Sequence, residues 1–148
     1  MTELSQIKIG FYGTPSFSLS FLKDLYFNNF KIVYVVTQPA RVSGRGKKIK
    51  LSPVHKWALD QKIKVFTPGI MNEEEFIKAL SIMKIDFNVV VAYGNILTKK
   101  IINLPKYQSL NIHASALPRW RGAAPIQRAI LNNDKQTAVS VMLSLIHI

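Results

Sequence analysis

The sequence predicts an α/β fold: a doubly wound, mostly parallel sheet with helices on both faces. Two observations carry this expectation. Strand-like and helix-like runs alternate along the chain, and the strand-like runs are apolar at nearly every position instead of every second one. A strand apolar on both sides must be covered on both sides, which in an alternating chain means helical layers above and below a parallel sheet.

The elements can be justified in order. Ile7-Lys8-Ile9-Gly10-Phe11-Tyr12 is a short apolar and aromatic run ending at Gly13, expected as the first strand. Thr14 is placed to cap a helix and Pro15 to occupy its first turn; Phe17, Phe21, Leu22 and Leu25 then recur at helical spacing up to Asn28. Lys31 to Thr37 reads as a second strand. Pro53 opens a short helix through Leu59, and Ile63 to Phe66 is a third strand. Asn72 is expected to cap an amphipathic helix with Phe76, Ile77, Leu80 and Met83 on one face. Asp86 to Tyr93 is the fourth strand and Ile96 to Ile102 a short helix. Ser109 to His113 is the fifth strand, Ala124 to Leu131 a helix, and Thr137 to Leu143 the sixth strand. Neither an internal repeat nor an interdomain linker interrupts this order.

Composition narrows the class. The 148 residues fit one domain, and 48% hydrophobic content supplies a core. No apolar run reaches the ~18 residues of a membrane-spanning helix. Met1 to Gln6 shows neither a signal core nor an Arg-rich transit pattern, so a cytoplasmic setting is expected. With no cysteine, disulfides and thiolate metal sites are excluded, and no metal is expected. Lys+Arg number 20 against 8 Asp+Glu, a net charge of +12 and a pI near 10.1. That excess favours polyanionic partners, because each neutralised phosphate releases counterions.

The charge is concentrated. Arg41, Arg45, Lys47, Lys48 and Lys50 are interleaved with Ser43, Gly44 and Gly46, and no acid occurs from Ala40 to Leu59. Two glycines in the stretch predict a mobile basic loop. From composition it is either a solvated connection or an arm that follows a phosphate backbone.

Ligands of such sheets bind beyond the carboxyl ends of the strands. The first turn, Gly10 to Pro15, lacks the G-x-G-x-x-G spacing, which argues against a nicotinamide dehydrogenase. The fourth strand ends in Ala92-Tyr93-Gly94 and the fifth in Asn111-Ile112-His113. Residues i and i+2 of a strand share a face, so Asn111 and His113 project together. One is an amide donor, the other an acid or base near neutral pH, the two kinds of group that acyl transfer needs. Alone, N-x-H equally fits a satisfied structural pair. His55 and His147 read as structural or incidental, and Asp134 as a turn residue.

The pair does not stand alone. It continues as Ser115-Ala116-Leu117-Pro118-Arg119-Trp120-Arg121-Gly122-Ala123-Ala124-Pro125-Ile126-Gln127. N-x-H-x-S-x-L-P-x-x-x-G resembles the signature of the 10-formyltetrahydrofolate-dependent formyltransferase family. The extended L-P-R-W-R-G-A-A-P-I-Q-R resembles the methionyl-tRNA formyltransferases within it. Phe11 to Phe17, Thr37-Gln38-Pro39 running into Gly44 to Lys48, and Val89 to Gly94 agree in the same order, so the likeness runs from Ile7 to Met142. The loop R-x-x-G-R-G-K-K separates this group from formyltransferases acting on glycinamide ribonucleotide or sugars.

The resemblance implies a Rossmann-like catalytic domain over 1–148, incomplete at its C-terminal edge and without the family's C-terminal β-barrel. It implies 10-formyltetrahydrofolate as co-substrate and initiator methionyl-tRNA as acceptor, in a monomer that binds no membrane. Asn111 would polarise the formyl oxygen, and His113 would share that task and move protons. Ser115, Ala116, Leu117 and Pro118 match the segment lining the folate site, and Ala92, Tyr93 and Gly94 the segment holding the pterin edge. Arg41, Arg45, Lys47 and Lys48 match the loop that meets the tRNA acceptor end. The family's M-x-x-G-L-D-x-G, whose Asp orients the His, would place that Asp just beyond Ile148; Leu143 to Ile148 does not resemble it, so low activity is expected. A transferase for another amine and a non-catalytic RNA-binding remnant stand as alternatives.

Overall fold

The computed structural model describes residues 3–43, 48–69 and 73–144, with only the backbone at Ser43. Eight strands and five helices follow in order: β1 (Lys8–Gly13), α1 (Ser16–Phe27), β2 (Lys31–Val36), β3 (Arg41–Ser43), β4 (Lys48–Lys50), α2 (Pro53–Asp60), β5 (Lys64–Phe66), α3 (Glu73–Ser81), β6 (Phe87–Val91), α4 (Lys99–Ile102), β7 (Gln108–His113), α5 (Pro125–Leu131) and β8 (Ser140–Leu143). Six strands form one sheet in the order β5-β2-β1-β6-β7-β8. All its pairings are parallel except the last, in which β8 runs antiparallel to β7. The expected doubly wound, mostly parallel architecture is the one found.

Each face of the sheet has its own core. On one, Ile9, Phe11, Val35, Val89 and Val91 pack against Leu22 of α1 and Val54 and Ala58 of α2. On the other, Tyr12, Tyr34, Val36 and Val90 pack against Phe76 and Leu80 of α3 and Ile101 of α4. This explains the continuous apolar runs of β1, β2 and β6: successive residues enter opposite cores. The second core also carries buried polar groups. Tyr34 Oη donates to Asn88 Oδ1 at 3.2 Å, and Asn88 Nδ2 donates to Ser109 Oγ at 3.0 Å and to the Ile101 carbonyl at 3.1 Å. Burial pushes the Tyr34 hydroxyl up to about 12, so it stays a neutral donor. Gly10 makes room for this ring: a Cβ there would lie 2.4 Å from the Tyr34 ring.

Several helix ends differ from expectation. Pro15, not Thr14, is the cap of α1, and no side chain bonds the helix start. Ser52 caps α2, its Oγ accepting from the His55 N–H at 3.0 Å. The expected cap Asn72 lies outside the described residues. The short helix before β7 covers only Lys99–Ile102, and the last strand begins at Ser140 rather than Thr137. Helices α1, α2 and α5 each end on a left-handed residue, Asn29, Lys62 and Asn133. In each case the next N–H bonds back to the carbonyl five residues earlier: Phe30 to Leu25, Ile63 to Ala58, Asp134 to Ala129.

The chain builds outward from β1 through β2 to β5, then crosses to β6 on the other side of β1. The carboxyl ends of β1 and β6 therefore frame the point where the winding reverses, the place where such sheets leave a crevice.

Candidate functional site

Asn111 and His113 stand one strand beyond that crevice. In β7, Asn111 lies between Val90 of β6 and Met142 of β8, and His113 is opposite Ser140. Both side chains line the same two cavities, as their i, i+2 spacing requires. A cavity of about 540 Å³ is formed with Leu117, Pro118, Arg121, Gly122 and Met142. A cleft of about 580 Å³ runs from the pair to Ala92, Tyr93 and Gly94, walled by Phe17, Ile96 and Ile126. The pair is thus the partition between them.

One ring nitrogen of His113 is committed. Nε2 lies 2.9 Å from the carbonyl oxygen of Trp120. A carbonyl only accepts, so Nε2 carries the hydrogen, and in the neutral ring Nδ1 keeps the lone pair. Trp120 belongs to the loop joining β7 to α5, which has a cis Leu117–Pro118 bond and left-handed backbone at Trp120, Gly122 and Ala124. Ser140 fastens it: its Oγ donates to the Ser115 carbonyl at 2.7 Å and accepts from the Leu117 N–H at 3.3 Å. Of the four loop residues singled out from sequence, Leu117 and Pro118 line the smaller cavity. Ser115 is fully buried, its Oγ without a partner among the described residues, and Ala116 is exposed; neither lines either of these two cavities.

Asp134, read from sequence as a turn residue, lies in the turn after α5 and is also a clamp. It accepts from Arg119 Nε at 2.9 Å and from an Arg119 terminal nitrogen and Trp120 Nε1, both at 2.6 Å. Those bonds, Arg119's first, hold its carboxyl at about 2.

On the β6 side, Ala92 and Gly94 adopt positive φ, 45° and 93°. The turn presents the Tyr93 carbonyl to Thr14 Oγ1, which donates at 2.8 Å, and to Gln38 Nε2 at 3.4 Å. The hydroxyl expected to cap α1 instead ties the end of β1 to the end of β6. Gln38 was not singled out as a site residue, although it stands in the Thr37-Gln38-Pro39 segment of the family resemblance, directly after an apolar run.

The basic stretch departs most from expectation. It is an antiparallel ribbon, with Arg41 opposite Lys50, Val42 opposite Ile49 and Ser43 opposite Lys48. Alternation puts Arg41, Lys48 and Lys50 on one face and the exposed Val42 and Ile49 on the other. The glycines that argued for a loop, with Arg45 and Lys47, fall at the connection, outside the described residues. Arg41 donates to Gln38 Oε1 at 3.3 Å. With Lys50, Thr14 and Ser52 it lines a third cavity of about 420 Å³, which shares Ala92, Tyr93 and Gly94 with the cleft. Lys50 joins the cationic face by the alternation in Lys48-Ile49-Lys50, a signal present in the sequence. His55 lies on α2, away from all three cavities, its Nδ1 buried and its protonated form disfavoured by that burial. His147 is outside the described residues. Among the described residues no cluster of three His, Asp or Glu could hold a metal, and no helix is long and apolar enough to cross a membrane.

Comparison with known proteins decides the family. The formyl transferase family model matches residues 7–144. The chain belongs to the formyl transferase family. Among curated relatives, the methionyl-tRNA formyltransferase of Sulfurihydrogenibium sp. (strain YO3AOP1) is 47% identical over 137 residues, covering 92% of this chain and 44% of the relative. That of Hydrogenovibrio crunogenus is 48% identical over 136 residues, covering 92% and 44%, and that of Legionella pneumophila (strain Corby) 44% over 139 residues, covering 94% and 44%. The chain thus spans less than half the length of the curated relatives it matches. The fold recurs in a phosphoribosylglycinamide formyltransferase from Bacillus halodurans, TM-score 0.70 at 19% identity over 93% of this chain and 72% of that one. It recurs also in a formyltetrahydrofolate deformylase from Pseudomonas syringae, TM-score 0.69 at 18% identity over 95% and 46%. In this formyl transferase family member the sheet carries the catalytic candidates, and the ribbon β3–β4 stands apart from it between β2 and α2.

Proposed function

We propose that this chain carries the formyl-transfer site of a methionyl-tRNA formyltransferase, passing a formyl group from 10-formyltetrahydrofolate to the α-amino group of initiator methionyl-tRNA. The observation that carries the reading is the shared face of Asn111 and His113 at the inner end of a cleft walled by residues 92–94. It is supported by relatives of that name between 44% and 48% identical.

The cleft suits a flat heteroaromatic donor. Its volume lies within the ~300–1,000 Å³ usual for small-molecule sites, its walls are largely apolar, and the bent main chain at residues 92–94 offers polar groups along one edge. The bound folate supplies an activated formyl group. The chain's own residues position and polarise it. The Asn111 amide donates a hydrogen bond to the oxygen on which negative charge grows, an interaction worth most in a site walled off from water. His113, with Nε2 tied to Trp120, takes a proton at Nδ1 from the attacking amine and returns it to the folate nitrogen as the formyl carbon–nitrogen bond of the donor breaks. Leu117 and Pro118 close the neighbouring cavity, while Ser115 and Ala116 shape the loop beneath them.

Arg41, Lys48 and Lys50, with Arg45 and Lys47 at the connection, meet the phosphates of the acceptor arm. Recognition there proceeds by charge and shape, as expected for an RNA end that side chains cannot read through a groove. The setting is cytoplasmic translation, the form a monomer. The test is formylation of methionyl-tRNA with a radiolabelled donor, comparing the chain with His113→Ala. A labelled product that disappears in the variant supports the reading; no product, or one indifferent to His113, sinks it.

A further inference from the structure

We infer that Asp134 is a positioning residue for His113: its carboxylate holds Arg119 and Trp120, and Trp120 passes the constraint on through its main-chain carbonyl, which accepts the bond from His113 Nε2. The inference rests on the reading of His113 as the proton-handling group.

The chain of contacts is short and complete. Asp134 accepts both nitrogens of one edge of the Arg119 guanidinium and, on the same Oδ2 that meets Arg119 Nε, the Trp120 indole N–H. The guanidinium carbon sits 4.3 Å from the centre of the Trp120 ring, so Arg119 is held by stacking as well as by the fork. Consecutive residues of the loop are thereby fixed to one carboxylate, and the carbonyl between Trp120 and Arg121 meets His113.

Asp134 itself is anchored. It is the residue after the left-handed Asn133, and its N–H closes the end of α5 on the Ala129 carbonyl. The clamp thus transmits the position of α5 to a loop that by itself prefers another shape. Trp120 has φ 57°, a conformation a bulky side chain avoids unless its surroundings over-determine it. Release of the indole and the guanidinium lets Trp120 relax toward negative φ, swinging the carbonyl from His113. An ion pair with an Arg side chain 56% exposed contributes little to stability on its own. Its function here is directional.

The experiment uses the 148-residue chain and Asp134→Ala, Asp134→Asn and Trp120→Phe. Solvent exchange of the His113 Nε2 proton is followed by nitrogen-edited NMR, the resonance being assigned by its loss in His113→Gln. Exchange should accelerate ~tenfold or more in Asp134→Ala, with partial rescue in Asp134→Asn, which keeps one acceptor oxygen. In formylation, kcat should fall ~10–100-fold while KM for the folate donor stays within about twofold. A folded Asp134→Ala whose His113 proton and kcat match the parent overturns the inference. Should that variant not fold, Trp120→Phe, which removes the indole donor while keeping an aromatic face for Arg119, is read by the same two criteria. Faster exchange in a chain whose parent transfers no formyl group supports the positioning and instead sinks the reading of the site.

Discussion

Asn111 and His113 stand on a strand paired on both sides within a six-stranded sheet, whereas Arg41, Lys48 and Lys50 stand on three-residue strands that pair only with each other. The first pair is held in place by backbone pairing to β6 and β8, by Ile112 packed against one core, and, for His113, by the bond to the Trp120 carbonyl. Among the described residues, a side-chain bond ties the ribbon at its base, Arg41 to Gln38, and apolar Val42 and Ile49 face solvent. Arg41 and Lys50 are directly opposite each other, an arrangement that costs stability until an anion lies across it. On the proposed function, chemistry that depends on close positioning is built into the sheet, while attraction to a flexible polyanion, which depends on charge, belongs to the ribbon outside it. The two regions touch through Ala92, Tyr93 and Gly94, which wall both cavities.

The comparison can be broken by substitution, and the largest effect belongs to the sheet. His113→Ala and Asn111→Ala should each lower kcat by ~10²–10³-fold with little change in KM for the folate donor. Steady-state formylation kinetics check this; a change confined to KM would reassign the pair to binding. Next comes the scaffold beneath them. Asn88→Ala leaves the Tyr34 hydroxyl, Ser109 hydroxyl and Ile101 carbonyl of a buried network without their amide partner, and should cost ~2–4 kcal/mol in a urea titration.

The ribbon should fail differently. Arg41→Gln with Lys48→Gln should weaken tRNA binding by roughly tenfold per charge removed and flatten the log–log salt slope by ~0.9 for each phosphate no longer neutralised, leaving the melting temperature almost unchanged. Binding isotherms at two salt concentrations decide it: an unaltered slope returns the ribbon to a solvated connection. The smallest effect concerns acid. Asp134 has a carboxyl depressed from 3.8 to about 2 by Arg119 and Trp120. A depressed folded-state value contributes stability that is fully present above the unfolded value and lost as pH falls through the folded one. Between pH 4 and 2 the parent should therefore lose more of its melting temperature than Asp134→Asn; parallel curves would show that the clamp adds nothing measurable.

Much of this was legible in the chain. The alternation of apolar runs predicted the parallel sheet, and N-x-H at a strand end put two chemically complementary groups on one face, because strand periodicity is local. Charge density likewise marked Arg41 to Lys50 as a basic stretch, and the ribbon keeps Arg41, Lys48 and Lys50 on one face. Where the reading went astray, a local signal had two solutions. Thr14 before Pro15 looks like a helix cap, but its hydroxyl bonds Tyr93, 79 residues away. The stretch from Arg41 to Lys50 looks like a loop, yet Arg41–Ser43 and Lys48–Lys50 pair as antiparallel strands.

Sequence by itself determined what is periodic or compositional: which runs are buried, where the sheet carries polar ends, and how much positive charge the chain bears. These follow from spacing along one dimension and need no partner. Tertiary structure alone decided which carbonyl holds His113, which acid holds the indole of the same Trp120, and which turn joins the ribbon's cavity to the cleft. Each of those rests on a hydrogen bond whose two ends are set by separate elements, α5 against the β7 loop or β1 against β6. Such a bond exists only once both cores have packed, since the packing, and not the identity of the residues, brings the atoms within reach.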